Sequence, residues 1–191
     1  MYHIKNDRRA VRSAKAIYEA LFTLMAGKKF AAIKVSEIVE QAQIGRATFY
    51  RNFDAQEDVL RWRCDQIADK LIPYITSFAR SQPNANRTSY LKPILRFFYL
   101  DSTIIELLIE AGRVDILQVA VQEWLERFGP KAVALLDVPE AYLNYWVALR
   151  TGALVSILVQ WVKDGKPHAP DDLADGMAEL ASQMSKLNLL V

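Results

Sequence analysis

Apolar residues recur along most of this chain at steps of three and four, the period of one helix face, and nothing alternates as a strand does. From Arg8 to about Ala26 that stripe is Val11, Ala14, Ile17, Tyr18, Leu21, Leu24 and Met25, with Arg8, Arg9, Arg12, Lys15 and Glu19 on the other side. Gly27 is expected to stop this helix in a left-handed cap. Ser36 precedes "EIVEQA" as an N-cap, so a short helix should run to Ala42, and a second should run from Arg46 to Phe53. Ile38, Val39, Ala42, Ile44, Phe49 and Phe53 are spaced to pack these two on each other and on the first. Two short helices joined by a tight turn form a helix-turn-helix unit, whose second helix can lie in a DNA major groove.

Beyond it, Asp54 reads as an N-cap with Glu57 as its capping-box partner. The helix they begin should reach about Arg80, kinked or interrupted at Pro73. "SQPNANRTS" (81–89) reads as a loop. Two or three helices follow between Tyr90 and Phe128, broken near Asp101 and Gly112, with Gly129-Pro130 and Val138-Pro139 as further punctuation. From Ala141 to Val162 the chain is apolar nearly all round and long enough to span a bilayer. Arg150 near its centre would cost about 2.5–3.5 kcal/mol on insertion scales. A helix buried within the protein or between subunits fits better, and no membrane partner is expected. The last helix starts at Pro170-Asp171-Asp172 and carries Leu173, Met177, Leu180, Met184 and Leu187 as an a/d seam. Such a seam serves an intramolecular core or a dimer interface. After so apolar a helix, an interface through Ile157, Trp161, Leu173, Met177, Leu180 and Met184 is expected.

Composition narrows the classes. Of 191 residues, 52% are hydrophobic and 24% charged, enough for a sizeable core and unlike a disordered chain. The net charge of +2 conceals a split. Residues 1–54 carry ten Lys/Arg against five Asp/Glu, and residues 55–191 carry fourteen against seventeen. A basic end on a mildly acidic body points to a polyanion partner. Cys64 is the one cysteine, which rules out an internal disulfide and suits a reducing cytoplasm. The basic start has no apolar run behind it and is unlike a secretory signal. Two histidines, His3 and His168, and scattered glycines offer no metal, nucleophile or phosphate-loop pattern, so no enzyme activity and no cofactor are expected.

The chemistry that remains is DNA recognition. In a helix starting near Arg46, Arg46, Ala47, Tyr50 and Arg51 share the outward side. Arginine binds guanine or a phosphate, Ala47 and the Thr48 methyl suit thymine methyls, and Tyr50 suits a phosphate. Gly45 and Asn52 flank this surface, while Ser36, Arg12 and Lys15 extend it along the backbone.

"VSEIVEQAQIGRATFYRNFDAQEDVL" resembles the most specific stretch of the TetR/AcrR family of transcriptional regulators, and "GALVSILVQWVKDGKP…PDDLADGMAEL" is similar to its last two helices. The resemblance implies an all-α protein: a three-helix DNA-binding domain over 1–54 and a larger helical ligand-binding and dimerisation domain over 55–191. It implies a homodimer on double-stranded DNA, repressing until a small apolar or aromatic effector binds. Phe78, Phe97, Phe98, Tyr99, Glu106, Glu110, Trp124, Tyr145 and Trp146 are candidates for its pocket, though aromatics at helical spacing also build plain core. Three positions depart from the family: Gln43 where glycine is usual, Gly45 where serine or threonine is frequent, and Gln56 where lysine is common. These departures leave a second reading open, a helical dimeric adaptor with weak or no DNA binding.

Overall fold

A computed structural model of the chain describes residues 1–4, 7–81, 90–133 and 139–186, of which 128–133 are described by backbone alone. The expected loop, past Ser81, lies outside them, as do Val138 and Leu187. Within the described residues the protein is all-α, with helices α1 (Arg8–Met25), α2 (Val35–Gln41), α3 (Arg46–Asn52), α4 (Gln56–Ser81), α5 (Leu91–Leu100), α6 (Thr103–Glu110), α7 (Val114–Val133), α8 (Leu143–Lys163) and α9 (Pro170–Lys186). Short 3-10 turns at Phe30–Ala32 and Glu140–Tyr142 complete it.

Helix α1 begins where Asp7 accepts hydrogen bonds from the N–H groups of Arg9 and Ala10, satisfying two of the orphan donors of a helix start. Its core face is Ala14, Ile17, Ala20, Leu21 and Met25, and α2, α3 and α4 pack on it. Val11 is exposed, because the first turns of α1 project past that core. Gly27 is not left-handed; the positive-φ residues among those described are Gln43, Gly112, Gly165 and Lys166. The end of α1 is closed instead by a 3-10 bond from the Gly27 N–H to the Leu24 carbonyl, at 3.2 Å.

Helix α4 passes straight from the basic end into the body. Its first turns pack on α1, and the rest meets α5, α6 and α7. Pro73 does not interrupt it: the ring lies on the exposed side of a continuous helix. Its N-terminal capping differs from the expected box. Asp58, not Glu57, accepts from the backbone N–H groups of Asp54 and Ala55, at 3.1 and 3.0 Å. Glu57 turns away to Arg113, 3.1 Å distant. Similarly, α7 runs through Gly129-Pro130 to Val133 rather than ending there.

Between α6 and α7, Gly112 takes the left-handed conformation that lets Arg113 N–H return to the Leu108 carbonyl, at 2.8 Å. At the far end α9 is held to α5 by two ion pairs, Arg96–Asp171 and Lys92–Asp175, with only Ala174 fully buried on α9. Helix α8 lies along α7 and beside α6. By length and composition Glu140–Lys163 could cross a bilayer, yet Arg150 is exposed at its middle and stacks over Trp146.

Candidate nucleic-acid interface and apolar cavity

The helix-turn-helix is built from local devices. Helix α2 starts two residues earlier than expected, with Lys34 rather than Ser36 at the N-cap. Glu37 occupies the third helical position, and its carboxylate accepts from Lys34 N–H at 2.9 Å and from the Lys28 ammonium at 2.8 Å. The Lys28 ammonium first, then the Lys34 N–H, hold Glu37 below the ordinary carboxylate range. Ser36 is therefore half-buried inside the first turn and caps nothing.

Gln43 closes the other end of α2. It takes φ 54°, and Ile44 N–H reaches back to the Val39 carbonyl at 3.0 Å. This is a Schellman-type stop whose left-handed position is normally glycine. Gly45 is then the N-cap of α3, in extended backbone with no side chain to cap it.

Two rings anchor α3. Phe49 and Phe53 are fully buried, 5.9 Å apart between centroids, and Phe53 meets the edge of Trp62 on α4. With that face fixed, Gly45, Arg46, Ala47, Tyr50 and Arg51 are exposed and Thr48 is half-buried. Tyr50 stands edge-on to Phe49 and is 55% exposed. Arg46, Arg51 and Arg12 have no acidic partner among the described residues, whereas Lys15 lies 3.6 Å from Glu19 on its own helix. Unneutralised guanidinium groups on one exposed helix are what phosphate and guanine recognition require.

Asn52 does not belong to that surface. It is buried, donates from its side-chain amide to the Thr48 carbonyl at 2.7 Å, and accepts His3 N–H on its own carbonyl at 2.8 Å. The cause is the N-terminal arm, which the helical period could not place. Tyr2 pairs with Phe53 in an antiparallel bridge and donates its hydroxyl to Asp65 at 2.7 Å. Gln56, the third departure, donates to the Phe30 carbonyl and ties the start of α4 to the 3-10 turn.

In the body, residues of α4, α5, α6, α7 and α8 line a cavity of about 60 Å³. Of the nine expected pocket residues, Phe98 and Trp124 line it. The other seven are directed elsewhere. Phe78 lies beneath the Arg96 guanidinium, Phe97 against Tyr74, and Tyr99 stacks on Trp161. Glu106 is exposed and accepts from Ser102, Glu110 and Tyr145 are exposed, and Trp146 is covered by Arg150. The walls are instead aliphatic, chiefly Ile67, Leu71, Leu117, Leu154 and Leu158, with Cys64. Burial pushes the Cys64 thiol up to about 12, so it is a packed apolar group rather than a nucleophile. The stripe 64, 67/68, 71/72 on α4 was visible as periodicity, and Ala68 and Ala120 in the walls are the small residues that leave space.

The dimer candidates on α8 also move. Trp161 is buried within the protomer, donating its indole N–H to the His168 carbonyl at 3.1 Å, and Ile157 is half-buried. The outward stripe of α8 is Tyr145, Leu149, Ala153 and Ser156, with Tyr145 74% and Leu149 66% exposed, and Tyr142 of the preceding 3-10 turn is exposed beside its start. On α9, Leu173, Met177 and Met184 are half-buried and Leu180 is exposed. Among the described residues no cluster of three or more His, Cys, Asp or Glu could hold a metal ion.

Helix bundle and site together define an all-α helix-turn-helix protein whose short second helix presents arginines on an exposed face. The same architecture is found in TetR-type transcriptional regulators. The chain superposes on Lin0861 from Listeria innocua with a TM-score of 0.75 at 18% identity, covering 95% of this chain and 96% of that one. It superposes on a TetR transcriptional regulator from Streptococcus agalactiae with a TM-score of 0.56 at 20% identity, covering 88% and 93%. In sequence it is similar to the uncharacterized HTH-type transcriptional regulator YxbF of Bacillus subtilis, 24% identical over 181 residues. That match covers 88% of this chain but spans 44% of the relative's own length. No family model matches the chain. The resemblance to TetR/AcrR regulators read in the sequence thus holds in the fold, and the Streptococcus agalactiae and Bacillus subtilis proteins are described as transcriptional regulators rather than enzymes.

Proposed function

We propose that this protein is a ligand-responsive transcriptional repressor of the bacterial cytoplasm, a homodimer that binds an inverted-repeat operator and is released by a small, mainly apolar molecule. The observation that carries it is α3: Phe49 and Phe53 lock the helix to the core while Arg46, Ala47, Tyr50 and Arg51 face outward. Residues 1–54 form the DNA-binding domain and 55–191 the regulatory one, with α4 as the bridge between them. Two such helices, one per protomer, would enter successive major grooves about 34 Å apart. The exposed Tyr145 and Leu149 on α8 and Leu180 on α9 support a helical interface between copies, because large apolar side chains grouped on an exposed helix face mark interaction sites.

Regulation follows from where the cavity sits. Its α4 wall, Cys64 to Ile72, lies one to three turns beyond Val59, Leu60 and Trp62, which seat the helix-turn-helix. A space of about 60 Å³ is less than half of the roughly 150 Å³ that holds a benzene. A larger ligand would displace the walls, and a displacement of α4 would carry to the helix-turn-helix, so such a ligand would favour a shifted arrangement over this one. That differential affinity is the requirement for a switch. Of the two features behind the adaptor reading, Gln43 adopts the left-handed conformation and the turn closes without glycine, while Gly45 leaves α3 without a side-chain cap.

Duplexes selected from a random pool, titrated by fluorescence anisotropy across ionic strength, test the proposal. Binding should weaken steeply with salt, because each neutralised phosphate releases counterions. The double variant Tyr50→Ala/Arg51→Ala should lose binding while light scattering still reports a dimer. Unchanged binding by that variant, or no salt-dependent affinity in the wild type, refutes it.

A further inference from the structure

Thr151 lies at the middle of α8, is 1% exposed, and has no hydrogen-bond partner for its hydroxyl. A buried threonine in a helix ordinarily donates to the carbonyl four residues back. Thr23 and Thr76 of this same chain do so even at exposed sites, to Glu19 and Ile72, both at 2.9 Å. Thr151 does not, and a buried hydroxyl left unpaired is costly enough that it calls for an explanation.

Its position supplies one. Val147, Thr151, Val155 and Leu158 form the buried stripe of α8, and Leu154, Val155 and Leu158 are a wall of the cavity. Thr151 is not itself one of the lining residues: it stands one helical turn, about 5 Å along the axis, beyond that wall on the same face of α8, so its hydroxyl meets a ligand only once the walls have moved. The remaining walls carry no charged side chain, from Cys64 and Leu71 on α4 to Phe98 on α5 and Val121 on α7. An ordered water needs two to four polar partners, which so apolar a space does not provide. A carboxylate or phosphate would enter without a counter-charge and stay unpaired.

We infer that the effector is an uncharged, mainly hydrocarbon molecule bearing one hydroxyl or carbonyl group, seated in this cavity with that group hydrogen-bonded to Thr151. The inference rests on the ligand-responsive reading above and adds the chemical class. Threonine both donates and accepts, so alcohols, phenols and ketones fit, whereas plain hydrocarbons forgo the bond and acids lack a partner charge. The expanding walls accept one ring or a short chain.

Matched probes on the full-length protein test it: p-cresol against toluene, and hexanol against hexanoate, followed by calorimetry and thermal shift with wild type, Thr151→Val and Thr151→Ser. Wild type should bind p-cresol about ten-fold more tightly than toluene, the scale of one net hydrogen bond, and should not bind hexanoate. Thr151→Val should bring the two aromatic probes to parity, and Thr151→Ser should keep the preference. Without ligand, Thr151→Val should melt higher than wild type, since it removes an unpaired buried hydroxyl. Equal binding of toluene and p-cresol by wild type, an undiminished preference in Thr151→Val, or tighter binding of hexanoate overturns the inference while leaving the cavity as an effector site. Failure of every probe to bind removes the effector site as well. A lower melting point for Thr151→Val shows that the hydroxyl already has a partner, and overturns it independently.

Discussion

Gln43 offers the sharpest test of how this helix-turn-helix is held. It is a non-glycine residue at φ 54°, in the stop between α2 and α3. The left-handed conformation costs an L-residue about 1–2 kcal/mol, because Cβ crowds the carbonyl oxygen. Gln43→Gly removes that strain but raises the entropy of the unfolded chain, returning about 0.4–1 kcal/mol. The side chain of Gln43 is exposed, so little else is lost. The net expectation is a gain of about 0.5–1 kcal/mol. For a chain of this size that is about 1–4 °C in melting temperature, read by far-UV circular dichroism and by the urea midpoint at unchanged slope. Gln43→Val is the opposing control, since a β-branched residue tolerates positive φ least, and should lower the melting point. If Gln43→Gly leaves stability unchanged or reduces it, the turn is not strained and the Schellman-type reading of the stop is wrong.

Two further outcomes follow from the ion pairs and from α8. The carboxyls of Glu37, Asp101, Asp115 and Asp171 all sit below their ordinary values, held by Lys28, Thr103, Arg113 and Arg96 respectively. A depressed folded-state pKa contributes stability above the unfolded value and loses it as pH falls through the folded one. The urea midpoint should therefore hold steady from neutrality down to about pH 5 and drop progressively below about pH 4, less steeply in Glu37→Gln; a midpoint insensitive to acid contradicts these assignments. On α8, Leu149→Glu places a charge in the middle of the outward apolar stripe. Light scattering should report monomers with unchanged helicity, and a dimer that survives the substitution would place the interface elsewhere.

Much of the binding surface was legible because it is local. Phe49 and Phe53, four residues apart, must share a face of any helix that contains them, which sends Arg46, Ala47, Tyr50 and Arg51 to the opposite side. Gln43 was singled out before its conformation was known only through the resemblance, as the residue standing where the family usually has glycine. Capping proved harder even so. Ser36 and Glu57 are better capping types than Lys34 and Asp58 are in their places, yet the pairings of Lys28 with Glu37 and Arg113 with Glu57 shifted both helix starts. These partners lie nine and fifty-six residues away, beyond any local rule.

By itself the sequence determined an all-α chain, the order of its helices and the outward face of α3, because amphipathic periodicity leaves one orientation that buries apolar surface. It could not orient α8. A helix apolar nearly all round has no preferred face, and only packing against α6 and α7 decided that Trp161 turns inward and Tyr145 and Leu149 outward. The same holds for the pocket. Aromatic residues were the natural candidates, yet a cavity forms where small side chains from different helices meet, here Ala68 on α4 and Ala120 on α7. The arm that buries Asn52 and the unpaired hydroxyl of Thr151 are likewise products of tertiary structure, since each depends on which distant groups come within reach.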